Sequence, residues 1–144
     1  MTKVLVLHGP NLGRLGRRQP EIYGTTTFFE LTQRIDEWGR EFGFSTDVRQ
    51  TNHEGVLVDW LNEAADAKTP VILNAGALTH YSYALYDACA QLEAPLVEVH
   101  LSDPFTRPEE WRHTSVVSPH AFAVIVGKGI DGYREALVAL STLS

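Results

Sequence analysis

The chain is poor in the residue types on which several kinds of chemistry depend. Its 144 residues include a single cysteine, Cys89, which excludes an internal disulfide and any CxxC pair for metal or redox work. Cys89 falls among alanines on an apolar helical stripe, where a thiol acts as a small core side chain. There is no HExxH and no paired HxH, so the recognisable metal-ligand spacings are missing. Basic residues are outnumbered, 12 Lys and Arg against 18 Asp and Glu, for a formal charge of -6. General attraction to nucleic acid or to an anionic membrane is therefore not expected. Apolar runs stop well short of the roughly 20 residues of a membrane span. The opening MTKVLVLHGP breaks at Gly9 and Pro10, too early for a signal peptide. A soluble, cytoplasmic protein is the expectation. Repeats, low-complexity tracts and linkers are absent too, so residues 1–144 read as one domain large enough to bury one good core.

What is present alternates. Short β-rich runs at Lys3 to Leu7, Ser45 to Arg49, Pro70 to Leu73, Pro95 to Val99 and Ala121 to Val126 are mostly too uniformly apolar to be one-sided strands. Helical patterns separate them. Phe28, Leu31, Ile35, Trp38 and Phe42 recur at helical spacing behind a capping box, Thr27 to Glu30, and before a closing Gly43. Leu57, Trp60 and Leu61 repeat the pattern, as do Leu85, Ala88 and Cys89, and then Tyr133, Ala136, Leu137 and Leu140. Strict alternation of strand and helix predicts a flavodoxin-like α/β three-layer sandwich with a five-stranded parallel sheet.

Such sheets bind ligands beyond the carboxyl ends of their strands. The residues there are His8 to Asn11, Gln50 to Glu54, Asn74 to Gly76, His100 to Ser102 and Gly127 to Gly129. Turn and cap formation accounts for any one of these groups but poorly for paired histidines and asparagines together. GPNLGRLGRR fits neither GxGxxG nor GxxxxGK[ST], and it lacks the Ser and Thr that could hold a flavin phosphate. Asn74 stands where a phospho-receiver needs aspartate. Lys3 and Lys68 precede strands and so lie at the wrong edge, leaving only Lys128 for a Schiff base. Acid–base chemistry on a polar, anionic small molecule remains.

The connection after the first strand is the oddest stretch. LHGPNLGRLGRRQPEIYG gathers Arg14, Arg17 and Arg18 ahead of Tyr23, in a connection far longer than the two to six residues or so usual for this fold, as a lid would be. Tyrosine titrates near pH 10, so it serves as a base near neutrality only where positive charge favours its phenolate; Arg18 is in position to supply that charge. Spacing alone is equally consistent with a solvated basic loop anchored by Tyr23.

GPNLGRLGRRQPEIYG, QTNHEG, ILNAGALTHYSYAL, VEVHLS and EEWRHTSVVSP, in this order and over almost the whole chain, resemble the successive motifs of the type II 3-dehydroquinate dehydratases. The resemblance implies a cofactor-free, metal-free hydro-lyase of the shikimate pathway of aromatic amino-acid biosynthesis. It would convert 3-dehydroquinate to 3-dehydroshikimate and water as a homododecamer, a tetramer of trimers. It implies that Tyr23 is the base, that Arg18 lowers its pKa, and that Asn11 stabilises the enolate through a water. It further implies that His100 protonates the departing hydroxyl while Glu98 orients that imidazole and keeps it protonated. Asn74, His80, Leu101, Ser102 and Arg112 match the substrate-binding positions, and Asp87 one that reaches into a neighbouring subunit's site. In TRPEEWRH the arginines Arg107 and Arg112 stand one residue farther apart than in the family pattern, with Pro108 as the extra residue, which leaves the role of Arg107 open. His8 and His53 fall near the ligand edge; His113 and His120 read as structural or solvated. A non-catalytic module binding small anions on the same fold is the alternative, although it would need neither Tyr23, Arg18 nor the Glu98 and His100 pair. An assembly block built on Tyr81, Tyr83 and Tyr86 is compatible with either.

Overall fold

A computed structural model describes residues 1–143. β1 (Thr2–His8) opens the chain, buried from Val4 onward. A long connection follows, containing a 3₁₀ turn at Leu12–Arg14 and a four-residue helix, α1 (Pro20–Tyr23). Then come α2 (Phe28–Glu41), β2 (Phe44–Gln50), α3 (Glu54–Ala67), β3 (Val71–Asn74) and α4 (Tyr83–Ala90). The chain continues with β4 (Leu96–His100), β5 (Ala123–Val126) and α5 (Asp131–Ser141). The strands form one sheet in the order β2-β1-β3-β4-β5, every pairing parallel. This is the flavodoxin-like order expected from the alternation.

Side chains alternate across the sheet and so divide the core in two. Val4 and Val6 face Leu31, Ile35 and Trp38 of α2 and Tyr133 and Leu137 of α5. Leu5 and Leu7 face Leu57 and Leu61 of α3 and Leu85, Ala88 and Cys89 of α4. The helical stripes read in the sequence are thus the faces laid on the sheet. The capping box forms, with Thr27 Oγ1 accepting from Glu30 N at 3.1 Å and Glu30 Oε1 accepting from Thr27 N at 3.0 Å.

Element ends shift by a residue or two from the sequence expectation. Pro70 and Pro95 lack an N–H, so β3 and β4 begin after them, although both carbonyls accept bonds from neighbouring strands. The last strand starts at Ala123 because the turn Ser118–His120 claims Ala121, whose N–H bonds Ser118 O at 3.1 Å. Only the three inner strands are buried along most of their length. β2 and β5 are edges and keep partly exposed positions.

Sheet order reverses between β1 and β3, and the two loops leaving this point pack backbone against backbone. Gly9 N donates to Asn74 O at 2.8 Å, and a Cβ on Gly9 would stand 2.4 Å from Ala75 O. Gly76, at φ +61°, lies so close to Pro10 O that a Cβ would come within 2.9 Å. Glycine is required at both positions, at Gly76 on conformational grounds as well. Among the described residues, no helix is long and apolar enough to cross a membrane.

Candidate active site

A cleft of about 680 Å³, counted out to its mouth, opens at this reversal point above the carboxyl ends of the strands. Asn11, Arg18 and Tyr23 come to it from the connection after β1. Asn74 and His80 come from the end of β3 and the turn behind it, and His100, Leu101 and Ser102 from the end of β4. Arg107 and Arg112 close it from the segment between β4 and β5. Asn11 sits at φ 72°, a left-handed conformation that asparagine tolerates. Its N–H donates to Asn52 Oδ1 at 3.0 Å, which ties the loop to the chain after β2.

Tyr23 ends α1, whose first turn carries Pro20, and is half-buried. Two guanidinium groups lie over its ring, Arg18 at 4.7 Å and Arg107 at 5.7 Å from the centroid. Arg107 Nη1 also donates to the Tyr23 hydroxyl at 3.2 Å. Burial pushes the phenol pKa up, but the Arg107 hydrogen bond and the charges of Arg18 and Arg107 outweigh it, so the pKa lies below its ordinary value. Arg107, left open by its spacing, is therefore the hydrogen-bond partner of the Tyr23 hydroxyl, while Arg18 lies nearer the ring. Its loop is held by His113 Nε2, which donates to Arg107 O at 2.6 Å. Arg107→Ala is expected to raise the Tyr23 pKa toward its ordinary value, and by more than Arg18→Ala does. Carbon NMR titration of the tyrosine Cζ resonances measures both shifts; an unchanged Tyr23 midpoint in Arg107→Ala would contradict the pairing.

His100 and Glu98 share the inward face of β4. Glu98 Oε2 lies 2.5 Å from His100 Nε2, with Glu98 1 % and His100 7 % exposed. A carboxylate only accepts, so Nε2 carries the hydrogen and Nδ1 is left for the cleft. Burial drives the Glu98 pKa up, yet hydrogen bonds from His100, Ser118 and Ser115 and the charge of His100 bring it below the ordinary carboxylate value. Glu98 itself stands behind the cleft wall and acts through His100.

Asn74 is fixed from below. Its Nδ2 donates to the buried Tyr133 hydroxyl at 3.2 Å, and its Oδ1 accepts from Gly76 N at 3.3 Å. One donor and one acceptor of the amide remain for a ligand, a combination that reads a hydroxyl group. His80 Nδ1 donates to Thr114 O at 2.7 Å, and burial lowers its pKa. Arg112 stacks on Trp111 at 4.2 Å and donates to Glu109.

Asp87 does not reach this cleft. The face of α4 that buries Leu85, Ala88 and Cys89 turns Asp87 outward, among exposed Tyr83 and Tyr86. His8 is fully buried under Phe28 and Tyr133, its Nδ1 donating to Arg49 O at 3.1 Å. Burial lowers its pKa to about 4. His53 is exposed and outside the cleft. Among the described residues, no three His, Cys, Asp or Glu side chains are grouped to hold a metal ion.

The chain that carries this cleft is similar over nearly its whole length to known proteins. Residues 2–141 fit the family described as dehydroquinase class II. A 3-dehydroquinate dehydratase of Salinispora tropica is 58 % identical, over 94 % of this chain and 94 % of that protein. One of Mycobacterium leprae is 52 % identical over 100 % of this chain and 99 % of its own length. The crystal structure of type II dehydroquinase from Propionibacterium acnes superposes with a TM-score of 0.95 at 51 % identity, covering 99 % of this chain and 97 % of that one. On matches that run almost end to end, the chain belongs to the class II dehydroquinase family.

Proposed function

We propose that the protein is a 3-dehydroquinate dehydratase that works in the cytoplasm, without metal or cofactor, by passing protons between its own side chains. The observation that carries this reading is Tyr23 beneath two guanidinium groups in the same cleft as the Glu98-backed His100. A base and an acid of these kinds are what elimination next to a ketone requires.

In this mechanism the Tyr23 phenolate takes a proton from the carbon beside the substrate ketone, and the electron pair moves into the carbonyl as an enolate. Asn11 supplies a donor toward the enolate oxygen through a water. When the enolate collapses, a carbon–carbon double bond forms, the carbon–oxygen bond on the adjoining carbon breaks, and imidazolium His100 gives the departing hydroxyl its proton. Water leaves, Tyr23 gives its proton up to solvent, and His100 takes one back, so both groups return to their starting states. Arg112 suits the substrate carboxylate, and Asn74, His80, Leu101 and Ser102 suit its hydroxyls. Arg107 joins Arg18 in favouring the phenolate. The test is direct: purified protein without added metal or cofactor, given 3-dehydroquinate, should develop the near-ultraviolet absorbance of a conjugated enone. No absorbance change from active-fold protein would favour the anion-binding module instead.

The assembly belongs to the same reading. Tyr81, Tyr83 and Tyr86 are 61 %, 79 % and 40 % exposed on and just before α4, next to Asp87. Aromatic groups so placed suit contact with another copy, which would deliver Asp87 to a neighbouring cleft in a dodecamer built from trimers. Sedimentation should then give a species near twelve chains, and Asp87→Ala should raise KM roughly tenfold, the cost of one charged hydrogen bond. A fully active monomer would remove both the dodecamer and the role of Asp87.

A further inference from the structure

The motif TSVVSP contributes two hydroxyls that none of the roles above uses. Ser115 Oγ donates to Glu98 Oε2 at 2.8 Å, and Ser118 Oγ donates to Glu98 Oε1 at 2.5 Å. With His100 on Oε2, both carboxylate oxygens of an almost wholly buried side chain are thus occupied, from two separate stretches of chain. The two serines are themselves organised locally, since Ser115 Oγ also accepts from Val117 N and Ser118 N, both at 3.1 Å. That compact turn fixes where Ser118 points. A buried carboxylate ionises only where hydrogen bonds replace lost hydration, and a single imidazole can occupy only one of its oxygens.

We infer that Ser115 and Ser118 are positioning residues for the acid side of the reaction: their hydroxyls hold Glu98 ionised and its Oε2 aimed at His100 Nε2. This rests on the dehydratase reading for its catalytic meaning and on geometry for its physical content. The titratable neighbours do not substitute for the serines. Burial and the nearby Glu98 charge push the Cys89 thiol on α4 up to about 12, so it stays a neutral thiol. His80, across from His100 at 6.4 Å between ring centroids, is shifted by burial toward its neutral form. His100 on β4 is therefore the one ring in contact with the carboxylate, and the serine hydroxyls supply its remaining hydrogen bonds.

The sign of the effect follows. Removing a donor to the anion raises the Glu98 pKa, so the carboxylate becomes protonated at a higher pH than before. A protonated Glu98 no longer anchors His100, and the acid limb of kcat/KM moves upward. Ser118→Ala is the cleaner variant, because Ser115 also caps its own turn. Expected is an upward shift of the acid limb by about one pH unit, the size of one charge-assisted hydrogen bond, with Ser118→Thr restoring it through its retained hydroxyl. Ser115→Ala should shift the limb in the same direction, and in a Glu98→Gln background Ser118→Ala should leave the profile unmoved. Carbon NMR of the Glu98 carboxyl reads the same displacement without turnover. A wild-type chain inactive on 3-dehydroquinate would thus overturn the dehydratase reading while the titration still decided this one. A Glu98 midpoint unchanged in both serine variants, or a lowered Tm with no movement of the pH limb, would overturn the inference.

Discussion

Tyr23→Phe is expected to lower kcat by about a hundredfold to ten-thousandfold, the usual cost of losing a positioned general base, while leaving the fold and its melting temperature almost unchanged. Tyr23 is half-buried and its ring packs against the core edge and beneath Arg18 and Arg107, contacts that phenylalanine keeps. What it loses is the oxygen that accepts from Arg107 Nη1. Arg107 also approaches Ser102 Oγ at 3.5 Å and Glu109 at 3.9 Å, so its charge is not stranded when that oxygen goes. Substrate affinity should change far less than turnover, because Asn74, His80, Ser102 and Arg112 are untouched. Steady-state kinetics with circular dichroism as the fold control makes the comparison. Near-normal turnover would leave the connection after β1 as a basic lid only and send the search for the base to His100.

The legibility of this chain divides along a physical line. Periodicity reports how a segment meets its neighbours, so the buried stripes of α2 and α5 and the apolar runs of β1, β3 and β4 could be read directly, and with them the sheet. Strand ends could not be read to the residue, because Pro70 and Pro95 belong to the apolar runs yet cannot donate to the ladder. The short helix α1 was hidden because four residues are too few to show a period. In the site, side chains at the carboxyl ends of strands were legible, Asn74 and His100 above all, since the fold fixes where they emerge. Arg107 was not. Its meeting with Tyr23 depends on how the segment after β4 folds back, and its spacing to Arg112 left its role open. Ser115 and Ser118 look like ordinary turn residues until their hydroxyls are seen on Glu98. Pro20 ahead of Tyr23 was the one local signal that the connection after β1 contains a helix start.

His100→Ala should impair the other half of the reaction and leave a different signature. Turnover should fall by about a hundredfold or more, because the hydroxyl must then depart as hydroxide from an enolate with no acid beside it. The base is intact, however, so Tyr23 still removes the proton next to the ketone and can return one drawn from solvent. In deuterium oxide the recovered 3-dehydroquinate should therefore acquire deuterium at that carbon while little 3-dehydroshikimate forms, whereas Tyr23→Phe should block exchange and product together. Stability separates the two variants as well. Alanine strips His100 Nε2 from Glu98 Oε2, leaving a 1 % exposed carboxylate with only the serine hydroxyls. Unpairing a buried charge is destabilising by about 1–3 kcal/mol where other hydrogen bonds persist, so this variant should melt several degrees below Tyr23→Phe. Proton NMR of substrate recovered from each variant decides between the two steps. Exchange lost in His100→Ala but retained in Tyr23→Phe would reverse the assignment of acid and base.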